Sequence, residues 1–281
     1  MAASTLNLKE IDKMISALTD SEKQMPALFI GHGSPMNAIE ENEFTRSWSQ
    51  IGNSMPKPSA ILCISAHWET RGTFVTTAEH PATIHDFYGF PDTLFSVQYP
   101  APGNPILAKE IIEMAPSPPV RPDSNWGMDH GTWSVLKHFY PEANIPVLQL
   151  SLDHSMKPED HYLLAKKLNT LRRKGVLIIG SGNMVHNLRQ IDWRNPGQGF
   201  EWAEQANELF KNLIVARDFQ KLIHYDLLGK AVQLSVPTPE HYLPLLYILA
   251  QTEESDTISF FNDHCIYGSL AMTSVQITNQ T

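Results

Sequence analysis

Histidine is the residue type through which this chain most readily does chemistry: twelve occur in 281 residues, and four stand where apolar runs stop or helices start. ALFIGH ends at His32, AILCISAH at His67 and VLIIGSGNMVH at His186, while PTPEHYLPLL carries His241 at a predicted helix start. A strand that ends on an imidazole delivers a metal ligand or a proton carrier to the carboxyl edge of an α/β sheet, where such folds build their sites. One such histidine is usually a packing residue. Several of the same design point to a metal or proton-transfer centre. His32 lies in Ile30-Gly31-His32-Gly33-Ser34-Pro35, where flanking glycines permit a sharp turn and are expected to leave the ring unshielded. His67, in Ser65-Ala66-His67-Trp68-Glu69, repeats the design with a large aromatic beside it.

Around His241 the pattern reads as Thr238 at the N-cap and Pro239 at the first helical position. His241 then falls in the first turn, where the helix dipole disfavours imidazolium and keeps the neutral, metal-binding form. Glu240 competes for the same role, because two histidines and one carboxylate form the usual ferrous oxygenase triad. His186 follows Gly180-Ser181-Gly182-Asn183, which matches neither a dinucleotide fingerprint, a P-loop nor the G-x-S-x-G elbow. It reads as a further ligand or a general acid/base. His130, in Met128-Asp129-His130-Gly131-Thr132-Trp133, is either part of a capping loop or functional. His85 and Tyr88 belong to an aromatic segment, Thr83 to Pro91, that either lines a ring-binding pocket or packs. His80, His138, His154, His161, His224 and His264 lack such context and read as surface or packing residues.

Alternating strands and helices must position these groups. Strands are predicted at Ala27–Gly31, Ala60–Ala66, Thr73–Thr77, Phe95–Tyr99, Val147–Leu152 and Val176–Gly180, with two more near 258–261 and 272–277. Helices are predicted over about 40–51, 105–114, 132–140, 158–173 and 200–216, with shorter ones near Phe219 and Glu240. The pattern describes one α/β domain with a central, mostly parallel or mixed sheet flanked by helices. Residues 1–25 read as an N-terminal extension, amphipathic helix or frayed, and 26–281 as the domain. At 42% hydrophobic content the chain can bury a large core. A net charge of -9 without any Lys/Arg block argues against nucleic acid or anionic membrane as partner and suits a small neutral or cationic substrate. Cys63 and Cys265 form no disulfide or thiolate-metal pattern. The acidic N-terminus is no secretory signal, and no run reaches the roughly 20 apolar residues of a membrane span. A reduced, cytoplasmic setting is expected.

Taken in order, GHGSPMNA, SAHWET, TIHDFYGFP, YPAPGNP, DHGTWSVLKH, VLQLSLD, IGSGNMVHNL and TPEHYLPLLY resemble the extradiol dioxygenases of the LigB superfamily. The likeness is greatest to the bacterial 4,5-DOPA dioxygenase branch and runs from about Leu28 to the C-terminus. Each motif alone is weak; the ordered set is specific. The resemblance implies one mononuclear divalent metal, Fe(II) for activity and Zn(II) commonly in isolated protein. It implies O₂ and a small catecholic substrate cleaved in the extradiol (meta) sense, as in 4,5-cleavage of DOPA. By resemblance, His32, His67 and His241 are ligands and His186 is the catalytic base, close enough to bind the metal without substrate. His130 becomes a substrate-contacting or supporting histidine, and His85, Tyr88 and Trp68 candidates for the ring pocket. His241 stands where protocatechuate-cleaving relatives carry glutamate, and an all-histidine set suits zinc. After His186 the chain reads Asn187-Leu188-Arg189-Gln190 rather than the proline-containing stretch of pigment-forming plant relatives. The same constellation with zinc would serve a hydrolase, and a non-catalytic metal-binding member is the remaining alternative.

Overall fold

The apolar runs become strands. In the computed structural model, which describes residues 24–279, they are β1 (Ala27–Gly31), β2 (Ala60–Thr70), β3 (Thr73–Thr76), β4 (Val120–Asp123) and β5 (Val147–Asp153). The second half adds β6 (Val176–Gly182), β7 (Asp256–Phe261), β8 (Cys265–Ile266), β9 (Leu270–Ala271) and β10 (Ser274–Asn279). Eight strands form one mixed sheet in the order β4-β3-β5-β2-β6-β1-β10-β7, and β8 pairs with β9 apart from it. Its centre, β5-β2-β6-β1, is parallel, and β10 and β7 add antiparallel strands beside β1. The uninterrupted apolar sequence of the central strands follows from burial on both faces.

Side-chain alternation splits the core in two. Phe29, Leu62, Leu148 and Ile178 face one layer, whereas Leu28, Ile30, Ile61, Cys63, Leu177 and Ile179 face the other. The helices are α1 (Glu43–Ser54), α2 (Asp92–Phe95), α3 (Pro105–Met114), α4 (His130–Phe139), α5 (Pro158–Lys167), α6 (Glu201–Val215), α7 (Phe219–Ile223), α8 (Lys230–Ser235) and α9 (Leu243–Leu249). Phe44 and Trp48 of α1 and Trp133, Leu136 and Phe139 of α4 cover the Leu28 face. Helices α3, α5, α6 and α9 cover the Phe29 face.

Several boundaries depart from expectation for physical reasons. Phe95–Tyr99 alternates like a strand but has no strand partner; its start closes the short helix α2, and Tyr99 N–H donates instead to Thr83 Oγ1 (2.9 Å). The helix predicted over 158–173 stops at Lys167, and a 3₁₀ segment, Asn169–Lys174, carries the chain to Gly175 at φ 77°. That break turns Arg172 into the core, where its guanidinium pairs with Asp256 and caps the carbonyls of Met25 and Gln251. Met25 is buried and thus anchored before the predicted domain start; the extension expected before it lies almost wholly outside the described residues. Strand β4 and helix α8 had no clear sequence signal. Among the described residues no helix is long and apolar enough to cross a membrane.

His161, read as surface or packing, is fully buried on α5 with Nδ1 3.0 Å from the Tyr247 hydroxyl. Burial lowers its pKa to about 4, against the pull of Asp153 and Asp160. An unfolded histidine takes up its proton near pH 6.5, so this group's stabilisation is complete above that pH. It is lost as pH falls from about 6.5 to about 4, by about 3 kcal/mol in all. Urea unfolding of wild type and His161→Gln at pH 7.5 and 4.5 tests this. Wild type should lose more stability on acidification, and parallel losses would refute it.

Candidate metal centre

The site lies at the carboxyl edge of the central strands, on the face covered by α1 and α4. His32 follows the last residue of β1 and shares the parity of Leu28 and Ile30. Its ring is not unshielded, as the glycines suggested, but only 2% exposed. His67 does not end its strand: β2 runs on to Thr70, with an irregularity in its pairing to β5 between Ile64 and Glu69. Within that stretch the His67 N–H donates to Ser65 Oγ (3.2 Å).

His186 lies beyond the end of β6, in a loop where its N–H donates to Ser235 O (2.8 Å) and where it bridges to Leu270. His241 precedes α9 rather than opening it. Thr238 Oγ1 donates to Glu240 Oε1 (2.8 Å) instead of capping backbone, and the N–H groups of Tyr242 and Leu243 both reach Pro239 O (2.9 Å). The helix-dipole reason for a neutral His241 therefore falls away. Gly182 lets this turn close over the end of β6, since any Cβ there would run into the His241 carbonyl.

Five imidazoles thus gather from five separate segments. His32 and His67 set their Nε2 atoms 3.2 Å apart. The His241 ring centre is 5.3 Å from that of His32 and 5.0 Å from that of His67. His130 packs 3.9 Å from His67, and His186 stacks on His241 at 3.5 Å and 7°. Donor atoms of His32, His67 and His130 lie within 4.8 Å of one another, as do those of His186, Glu240 and His241. The trio that the resemblance implies, His32, His67 and His241, therefore draws one member from the second of these groups.

Burial, followed by the neighbouring imidazoles, holds the pKa of both His32 and His241 well below 6.5. Burial and then His130 lower that of His67 to about 3, against Asp86; burial lowers that of His186 to about 4, against Glu240. His32, His67, His186 and His241 are therefore neutral near pH 7 and rich in lone pairs, the donor character that a divalent metal requires. Two nitrogens 3.2 Å apart on one ion, at metal–nitrogen bonds of about 2.0–2.1 Å, subtend an angle of about 100°. The residues present fit a metal.

Sequence reasoning missed the supports beneath the rings. Asp86 accepts from the His130 N–H (2.8 Å) through one oxygen and pairs with His130 Nδ1 (2.9 Å) through the other, which also lies 3.5 Å from His67 Nδ1. Ser65 donates to Asp129 (2.7 Å) at the N-cap of α4, and Ser181 donates to the carbonyl of Gly131 (2.5 Å) while meeting His32 Nδ1 (2.9 Å). The HDF triplet was the only hint of Asp86, and no local signal marks the serines. The proposed ring-pocket residues are differently placed. Trp68 is buried and stacks on Trp126 at 5.3 Å and 2°. His85 bonds Val97 O (2.9 Å) and packs against Phe87, Phe95 and Trp133, and Tyr88 is 92% exposed. Phe87, not singled out from sequence, meets His130 edge-on at 5.5 Å.

Comparison with known proteins agrees with this architecture. Residues 26–273 match the family described as the catalytic LigB subunit of aromatic ring-opening dioxygenase. A protein of Escherichia coli K12 named 4,5-DOPA dioxygenase extradiol is 46% identical over 94% of this chain and 98% of its own length. A Beta vulgaris protein of the same name is 34% identical over 89% of this chain and 96% of its own. The crystal structure of an uncharacterized Escherichia coli K12 protein has a TM-score of 0.80 at 42% identity, covering 90% of this chain and 99% of that one. Histidines at the sheet edge and a match over nearly all of the described residues lead to one conclusion: this chain is a member of the LigB family of aromatic ring-opening dioxygenases.

Proposed function

We propose that this protein opens the ring of a catechol in the extradiol sense, with 4,5-cleavage of DOPA as the leading reaction. His32, His67 and His241 would hold one divalent metal, Fe(II) in the active form and Zn(II) as the ion an all-histidine set also accepts. The observation that carries the reading is the approach of the His32 and His67 Nε2 atoms to 3.2 Å, with His241 closing the third side. The metal, when bound, supplies Lewis acidity toward the catechol oxygens and an electron path between ring and O₂.

The chain supplies geometry and proton handling. His186, neutral and half-buried beside His241, is the group assigned to take a phenolic proton. The carboxylate of Glu240 lies 3.4 Å from His241 Nδ1 and supports that ring rather than replacing it as ligand. His130, held by Asp86 and edged by Phe87, is assigned to substrate contact. His85 and Trp68, held within the packing, are assigned to support of the ring pocket, and the exposed Tyr88 to its outer side.

Anaerobic reconstitution with Fe(II), followed by admission of O₂, tests the reaction. Yellow ring-opened product is expected from DOPA, with dopamine and simple catechols as comparison. No product from any of them would overturn the reading, and activity persisting without oxygen would belong to a zinc hydrolase.

A further inference from the structure

We propose that Ser181 is a positioning residue that fixes the tautomer of His32. The hydrogen bonds around Ser181 leave its hydroxyl a single role toward the ring. A serine hydroxyl has one proton and two lone pairs. That proton goes to the carbonyl oxygen of Gly131, 2.5 Å away in the first turn of α4. Toward His32 Nδ1, at 2.9 Å, Ser181 Oγ can then only accept. In the neutral ring the hydrogen therefore sits on Nδ1 and the lone pair on Nε2. Nε2 is the nitrogen that faces His67 Nε2 at 3.2 Å.

The relay runs His32 Nδ1–H to Ser181 Oγ–H to Gly131 O, and it is completely buried. Register makes it possible. Ser181 on β6 pairs with Ile30 on β1 and with Ser65 on β2, so it stands between the two strands that lead to His32 and His67. Its parity with Leu177 and Ile179 turns it toward α4. Gly131 is the matching element: a Cβ there would lie 2.6 Å from Ser65 Oγ and 2.9 Å from His67 Cδ2, so no side chain fits between helix and strands. Partners of this kind, bonded to the nitrogen away from the metal, typically alter metal affinity 10–100-fold when removed. The value of the fixed tautomer for metal binding rests on reading His32 as a ligand; the tautomer itself does not.

The test begins with metal-free wild-type protein carrying ¹⁵N-labelled histidine, with His32 assigned by comparison with His32→Asn. Long-range ¹H–¹⁵N correlation should show protonated Nδ1 and unprotonated Nε2. The opposite pattern would overturn the proposal without recourse to a Ser181 variant. In Ser181→Ala, Nε2–H should become populated and Zn²⁺ affinity, measured by chelator competition, should fall about 10–100-fold. A folded Ser181→Ala protein with unchanged tautomer and unchanged Zn²⁺ affinity would reduce the hydroxyl to a structural tie and refute the assignment. Absence of ring-opening activity would overturn the catechol reading while leaving the wild-type spectrum as it is, so the two failures are distinguishable.

Discussion

His186→Ala is expected to keep its metal and lose about 10²–10⁴ in kcat, the range over which a positioned acid or base acts. The stacking geometry is the reason to expect retention. An imidazole lone pair lies in the plane of its ring, so a metal is bound in or near that plane. The His186 and His241 rings are 3.5 Å apart and only 7° from parallel, so their planes do not meet within the site. A metal held by His241 would therefore not also be held by the ring stacked on it. With His32 and His67 nearer to His241, the proposed role for His186 is proton acceptor. Metal analysis of the purified variant beside single-turnover kinetics checks both halves. Loss of the metal would make His186 a ligand, and unchanged kcat would remove it from the chemistry.

Arg172→Met is expected to destabilise the fold by about 3–5 kcal/mol, the usual cost of leaving a buried charge without its partner. Both side chains of the Arg172–Asp256 pair are fully buried, joined at 2.8 Å and 3.3 Å. The same guanidinium donates to Met25 O and Gln251 O at 2.7 Å each, so its loss leaves a carboxylate without its countercharge and takes a donor from each of two carbonyls, of which Gln251 O keeps Asn169 Nδ2 (3.2 Å). Asp256 is in turn bonded by the Glu253 N–H (2.9 Å), and removing it would also loosen the turn into β7. The double variant Arg172→Met with Asp256→Leu should therefore recover much of the loss, though not all of it. Denaturant unfolding of the three variants against wild type measures this. A single-variant cost below about 1 kcal/mol would show that the charge finds water or another partner.

What was legible in the sequence had local causes. The runs before His32 and His67 identified the central strands because burial on both faces excludes polar residues there, whereas the glycines around His32 suggested an open ring that the fold buries. What the sequence concealed depends on register and on distant segments. Ser65 and Ser181 look like ordinary strand residues; only the pairing of β2, β6 and β1 brings them under the rings. Asp86 gains its role because the aromatic loop folds back onto α4, 44 residues away in the chain. The Thr-Pro signal before His241 misled because Glu240, two residues on, captures the threonine hydroxyl that would have capped a helix. In Phe95–Tyr99 the alternation is real, but the segment pairs with no strand.

The position of β1 also bears on the order in which the molecule can be made. This strand, which leads to His32, has as its two neighbours residues 176–182 and residues 274–279. During synthesis this strand therefore waits until residues 176–182 have emerged before it can pair on one side, and until residues 274–279 have emerged before it can pair on the other. Contacts of such sequence separation form slowly because a long loop must close first. The strand that emerges earliest is among the last to be locked into the sheet.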